Sequence, residues 1–179
     1  MSCAYLAFTE RGLALAQQLA AACPGPVARC GAGGPGLDEW TAAQFAASDA
    51  LIYIGAVGIA VRAIAPYCRS KAADPAVVVL DECGRFAVPL LSGHLGGANA
   101  LARRLAAVCG AVPVITTATD LHGLFAVDEW AKRQGCIVAG AHQAGQRRIA
   151  GGKVRAFYRR LAHTGHTARR CAACSWRLR

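Results

Sequence analysis

The sequence predicts an α/β fold: a three-layer domain with a mostly parallel sheet and one hairpin, followed by a poorly defined basic tail. Three observations predict it. Short, wholly apolar runs such as Ala50–Ile54 and Ala76–Leu80 have the pattern of strands buried on both faces. Segments with apolar residues at helical spacing alternate with them, as in layered α/β domains. The periodicity then fades past Gly140, where the charge balance also changes.

The elements follow in order. Cys3–Phe8 reads as a strand, and Arg11–Ala22, with Leu13, Ala16, Leu19 and Ala20 on one face, as a helix broken by Pro24-Gly25-Pro26. Val27–Cys30 is a short strand, and Leu37–Ala47, carrying Trp40 and Phe45, a helix ended by Ser48 and Asp49. The strand Ala50–Ile54 leads through Gly55-Ala-Val-Gly58 into a helix over Ile59–Ala65 that stops at Pro66. Ala76–Leu80, the turn Glu82-Cys-Gly84 and Arg85–Leu91 make an antiparallel hairpin. A long helix is expected over His94–Val108, then a strand Val112–Thr116, a short helix Leu124–Gln134 and a last strand Ile137–Ala139. This divides the chain into an α/β domain over 1–123, the start of a linker region over 124–140 and a basic tail over 141–179.

Residues 1–140 hold ten Lys or Arg and ten Asp or Glu, whereas 141–179 hold ten basic residues and no acid. The net charge of +10 therefore belongs to the tail, where Arg147, Arg148, Arg155, Arg159 and Arg160 surround Phe157 and Tyr158. Such a tail is one route to nucleic-acid binding. Yet no nucleic-acid fold accompanies it, so a nucleic-acid partner is not expected. The nine cysteines are scattered and odd in number, which reads as reduced thiols. Cys171 and Cys174, with His163 and His166, lack zinc-finger spacing, so no metal is expected. No apolar run reaches the ~18–20 residues of a membrane span, and Met1–Phe8 has no basic n-region. The expected location is cytoplasmic.

Three loops at strand ends carry the residues suited to chemistry. Gly55 and Gly58 open a helix whose amides can face an anion, and Arg62, one turn on, can pair with a carboxylate. Ser92 is expected to cap the next helix, with His94, Gly96, Gly97 and Asn99 in its first turns. Two glycines in a helix cost about 1 kcal/mol each against alanine, which suggests that something must come close there. The imidazole of His94 suits a general base. Thr116, Thr117 and Asp120 follow the third strand end and can bind polar substrate edges or orient a base. Lys71 and Arg69 add positive charge, the loop through Asp74 reads as solvated, and Asp81 is the better acidic candidate.

The stretch DALIYIGAVGIAVRAIAPYCRSKAADPAVVVLDECGRFAVPLLSGHLGGANALARRLA, followed by AVPVITTATD, resembles the N-terminal region of the cobalamin-biosynthesis hydrolases known as CbiG. FAVDEWAKRQG resembles the start of that family's linker. The resemblance implies a cobalt-precorrin-5A hydrolase, which opens the ring A lactone, releases acetaldehyde and yields cobalt-precorrin-5B. It implies no protein cofactor, because the cobalt arrives with the corrinoid substrate, and it implies contact with other enzymes of the pathway. In this setting Arg62 and Lys71 would hold substrate carboxylates, beside Gly55, Gly58, Ser92, Thr116 and Thr117. His94 would activate water or shuttle a proton, with Asp81 or Asp120 orienting it. Amides near Gly96 and Gly97, or Asn99, would stabilise the oxyanion. The family continues into a C-terminal domain for which this chain leaves no room, so its acid-free end is expected to be an altered or truncated tail, and the alternatives are a nucleic-acid-binding module that uses this Arg-rich tail or a corrinoid-binding remnant without catalysis.

Overall fold

The computed structural model describes residues 1–31, 33–70, 73–94 and 96–117, together with the backbone of two short strands at 136–138 and 158–160. The chain divides into two compact units, Met1–Phe125 and Ala126–Arg179.

The first unit is the expected α/β sandwich. Its strands are β1 (Cys3–Ala7), β2 (Val27–Arg29), β3 (Ala50–Ile54), β4 (Ala76–Leu80), β5 (Phe86–Leu91) and β6 (Val112–Pro113). Its helices are α1 (Glu10–Ala22), α2 (Leu37–Ala47), α3 (Val57–Ile64) and α4 (Ala98–Cys109). The sheet order is β2-β1-β3-β4-β5-β6. Strands β2, β1, β3 and β4 are mutually parallel. β5 returns antiparallel to β4, and β6 lies parallel to β5.

Apolar runs become central strands because both faces of the sheet are covered. Tyr5, Ile52, Ile54, Val78 and Leu80 pack on one face with Ala16 and Leu19 of α1 and Leu101 and Leu105 of α4. Leu6, Leu51, Tyr53, Val77 and Val79 pack on the other with Trp40 of α2 and Ala60 and Ile64 of α3. Each large aliphatic side chain removed from water in this way contributes about 1.5–3 kcal/mol. Polar groups in these layers are paired. The Tyr5 hydroxyl donates to the Cys23 carbonyl at 2.6 Å, and the Tyr53 hydroxyl lies 2.9 Å from Thr41 Oγ1. Burial pushes the Tyr53 phenol up to about 12, with the Thr41 hydrogen bond acting the other way.

Two local features aim the chain at the site. The β4–β5 register shifts between Val77, opposite Leu91, and Val78, opposite Pro89, which leaves Leu90 as the extra residue. Proline has no N–H for the ladder, so a bulge beside Pro89 is its natural place, and bulges bend the strand that carries them. The strand therefore turns just before Ser92. At the other end of the hairpin, Gly84 takes a φ of 66° to reverse the chain.

In the second unit β7 (Cys136–Val138) pairs antiparallel with β8 (Tyr158–Arg160), Ile137 opposite Arg159. A strand near 137–139 was expected, whereas β8, inside the basic tail, was not. The helix expected over 124–134 and the rest of the tail lie outside the described residues.

Candidate functional site

The reversal of β5 places the three expected loops at two opposite ends of the sheet. β1, β3 and β4 finish at one end, where Gly55, Gly58 and Asp81 follow them. β5 finishes at the other, beside the start of β4, because Leu91 pairs with Val77, while the short β6 lies beside the start of β5 and the chain past Pro113 carries Thr116 and Thr117 onward in the direction of β5. A five-residue strand at about 3.3 Å per residue separates the two ends by roughly 15 Å.

At the first end a cleft of about 310 Å³ is lined by Phe8, Thr9, Gly55, Ala56, Ile59, Asp81 and Glu82. Its polar groups serve the fold. Thr9 Oγ1 accepts from the Gly12 amide at 3.0 Å, capping α1, and donates to Glu82 at 2.7 Å. The Asp81 carboxylate accepts from the amides of Cys83, Arg85 and Phe86 at 2.7–2.9 Å. It organises the hairpin turn, which corrects the expectation that Asp81 orients His94: the two stand at opposite ends of β4. Gly55 answers to packing, since a Cβ there would lie 2.6 Å from the Phe8 ring. Gly58 has no such neighbour, its nearest contact being 3.5 Å away. Arg62 is exposed on α3, and its guanidinium donates back to the Gly58 carbonyl at 3.4 Å.

The second end holds the denser arrangement. Helix α4 begins at Ala98, four residues later than expected, and its N-cap is Gly97 with a φ of 86°. Ser92 does not cap the helix. It takes a φ of 56° and is buried, and its hydroxyl donates to the Asp74 carbonyl at 2.9 Å. The chain then folds upon itself. The amides of Gly97, Ala98 and Asn99 donate to the carbonyls of His94, Ser92 and Gly93 at 3.0–3.2 Å. The Gly97 amide is thus engaged within the turn, which corrects its expected role towards an oxyanion. The glycines are required by this turn and not by a helix. A Cβ on Gly96 would lie 2.2 Å from that of Ser92, and Gly97 occupies the left-handed region that glycine enters without steric cost. For Ser92 the same region costs about 1–2 kcal/mol, so its hydrogen bond holds a conformation that the residue does not prefer.

Asn99 is 4% exposed, and its side-chain amide donates to Thr117 Oγ1 at 3.0 Å. It joins the loop to Thr117, four residues beyond β6. His94 is half-buried at this end, and Thr116 is exposed. Lys71 and Asp120 lie outside the described residues. The structure therefore brings together Ser92, His94, Gly96, Gly97, Asn99, Thr116 and Thr117, and it separates them from Gly55, Gly58 and Asp81.

One residue was underrated by sequence reasoning. Asp74, expected in a solvated loop, is 8% exposed and accepts the Arg69 amide on both carboxylate oxygens at 2.9 and 3.1 Å. An Asp-Pro pair directly before a buried strand was the available signal, because the first residue has to turn the chain and satisfy its amides at once. Among the described residues no group of three or more His, Cys, Asp or Glu side chains is placed to hold a metal ion, and no helix is long and apolar enough to cross a membrane.

Residues 39–120, which include both sheet ends, match the family model described as cobalamin synthesis G N-terminal. That stretch is similar to the family. Over 84 residues the chain is 60% identical to a cobalt-precorrin-5A hydrolase of Salmonella typhimurium, covering 47% of this chain and 24% of the relative. It is 47% identical over 93 residues to a cobalt-precorrin-5A hydrolase of Priestia megaterium, covering 52% and 25%. The chain thus spans about a quarter of the length of the curated relatives it matches. A crystal structure of a cobalamin biosynthesis protein G homologue from Sulfolobus solfataricus superposes with a TM-score of 0.54 at 24% identity, covering 76% of this chain and 41% of that one, and shares the fold. Within the matched stretch lie Asp74, Ser92, His94, Asn99 and Thr117, the residues that build the second sheet end. β1 and α1 precede it.

Proposed function

We propose that this chain forms the N-terminal part of a cobalt-precorrin-5A hydrolase of cobalamin biosynthesis, and that the corrinoid meets the sheet end that carries His94. The observation that carries this reading is the 60% identity over 84 residues with a curated relative of that name. The clustering of an imidazole, threonine hydroxyls and a tightly turned glycine loop at one sheet end supports the placement of the site.

In this reading His94 takes a proton from water as the water attacks the ring A lactone carbonyl, or shuttles the proton in the carbon–carbon cleavage that releases acetaldehyde and leaves cobalt-precorrin-5B. Thr116, exposed three residues beyond β6, contacts a polar edge of the substrate, and Lys71 pairs with one of its carboxylates. Asp120 remains the candidate to orient the imidazole. The cobalt is part of the substrate. A cytoplasmic location and contact with other enzymes of the pathway go with this reading.

The test is anaerobic incubation of the chain with cobalt-precorrin-5A, following released acetaldehyde. Release that falls at least 100-fold in His94→Ala is the expected result, in line with the ~10²–10⁴-fold typical of general acid–base groups. Full turnover in that variant removes His94 from the mechanism. Corrinoid binding without release, beside an active full-length relative, would assign recognition to this region and the chemistry to the remainder of the longer protein.

A further inference from the structure

We infer that Asp74 is a positioning residue for His94, acting through Ser92. The path consists of hydrogen bonds already on the molecule. The Asp74 amide donates to the Ser70 carbonyl at 2.9 Å, while its carboxylate receives the Arg69 amide on both oxygens. The turn is thereby closed from two sides, which fixes where the Asp74 carbonyl points. That carbonyl accepts the Ser92 hydroxyl at 2.9 Å.

Ser92 is the non-glycine residue with positive φ among the described residues. A serine persists in that region when its surroundings determine it, and such residues gather at functional sites. Its reversal turns the Ser92 and Gly93 carbonyls onto the amides of Ala98 and Asn99. His94 follows Gly93 directly, and its own carbonyl receives the Gly97 amide at 3.1 Å. The backbone on both sides of His94 is therefore set by the arrangement that begins at Asp74. Burial of the carboxylate fits this role. A buried carboxylate is costly unless it is hydrogen-bonded, and here both oxygens accept the Arg69 amide. The proposal rests on the catalytic reading of His94 for its kinetic part alone.

The experiment uses the whole chain as wild type, Asp74→Ala, Asp74→Asn and Ser92→Gly. Two readouts need no substrate: the imidazole resonances of His94 and the hydrogen exchange of individual amides. In Asp74→Ala the His94 resonances should shift, and the Ala98 and Asn99 amides should lose about tenfold or more of their protection, while those of Tyr5 and Ile52 in the central strands change less than about twofold. Ser92→Gly, which enters the left-handed region freely but lacks the hydroxyl, should disturb the same two amides. Asp74→Asn keeps one acceptor oxygen for Arg69 and should fall between wild type and alanine. With cobalt-precorrin-5A, kcat should fall about tenfold or more in Asp74→Ala with KM within about threefold, as expected when an aligned group is displaced without loss of binding. Unchanged His94 resonances with intact Ala98 and Asn99 protection overturn the proposal. So does an equal loss of protection in the central strands, which makes Asp74 a general stability residue. Absence of acetaldehyde release from the wild type, with the resonance and exchange results as expected, overturns the catalytic reading and leaves the positioning intact.

Discussion

Asn99, in the first turn of α4, donates its side-chain amide to the hydroxyl of Thr117, four residues beyond β6, across 3.0 Å. This bond joins the two segments that flank the candidate site. Its donor is almost wholly buried. Asn99→Ala should cost about 1–3 kcal/mol, the range for a buried polar group that loses its partner. Thr117→Val should cost about 1 kcal/mol, and the double variant should cost less than the sum because both remove one interaction. Urea unfolding of the four proteins measures this; strict additivity would show that the pair is not coupled.

Two glycines near the expected loops should respond to alanine in opposite directions. Gly96→Ala places a Cβ 2.2 Å from that of Ser92, so the turn must open, at about 1–3 kcal/mol. Gly58→Ala meets nothing closer than 3.5 Å and lies inside α3, where alanine is favoured by about 0.5–1 kcal/mol. Thermal unfolding should show a lower Tm for the first and an equal or higher Tm for the second. A lower Tm for Gly58→Ala would point to a close contact at that position.

Asp81→Ala removes the acceptor of three backbone amides at the β4–β5 turn. Stability should fall by about 1–3 kcal/mol. Exchange protection should be lost first at Cys83, Arg85 and Phe86, while Ala98 and Asn99 stay protected. Disturbance of His94 resonances in this variant would contradict the separation of the two sheet ends.

Alkaline pH should destabilise the fold through its buried tyrosines. Tyr53 ionises near 10.0 in the unfolded chain and near 12 in the folded one, because burial disfavours the phenolate. Between those values the folded state binds the extra proton. Its contribution is therefore complete below pH 10 and is lost as pH rises towards 12, by about 1.4 kcal/mol per pH unit. Burial raises Tyr5 as well, which acts in the same direction. Unfolding free energies measured from pH 9 to 12 should fall with this slope, and Tyr53→Phe should make the fall shallower. An unchanged slope in Tyr53→Phe would exclude Tyr53 as its source.

The sequence by itself determined the layered fold and most of its elements. Ala50–Ile54 and Ala76–Leu80 are observed with the bounds expected, and so is helix Leu37–Ala47. Strands buried on both faces must be apolar at every position, and that leaves a mark which needs no knowledge of the partner strand. The grouping of His94, the glycines and the threonines was legible for a similar reason, because few apolar cores require such residues. The tertiary structure decided the rest. The start of α4 moved to Ala98 because the Ser92 hydroxyl bonds to the Asp74 carbonyl, eighteen residues earlier in the chain, instead of capping a helix. Asp74 and Asp81 are the same residue type at the two ends of one strand. One is buried in a turn that meets the His94 loop, and the other is spent on a hairpin at the far end. That difference arises from the reversal of β5 and from burial, both of which depend on contacts between segments distant in the chain, and local sequence carries no record of them.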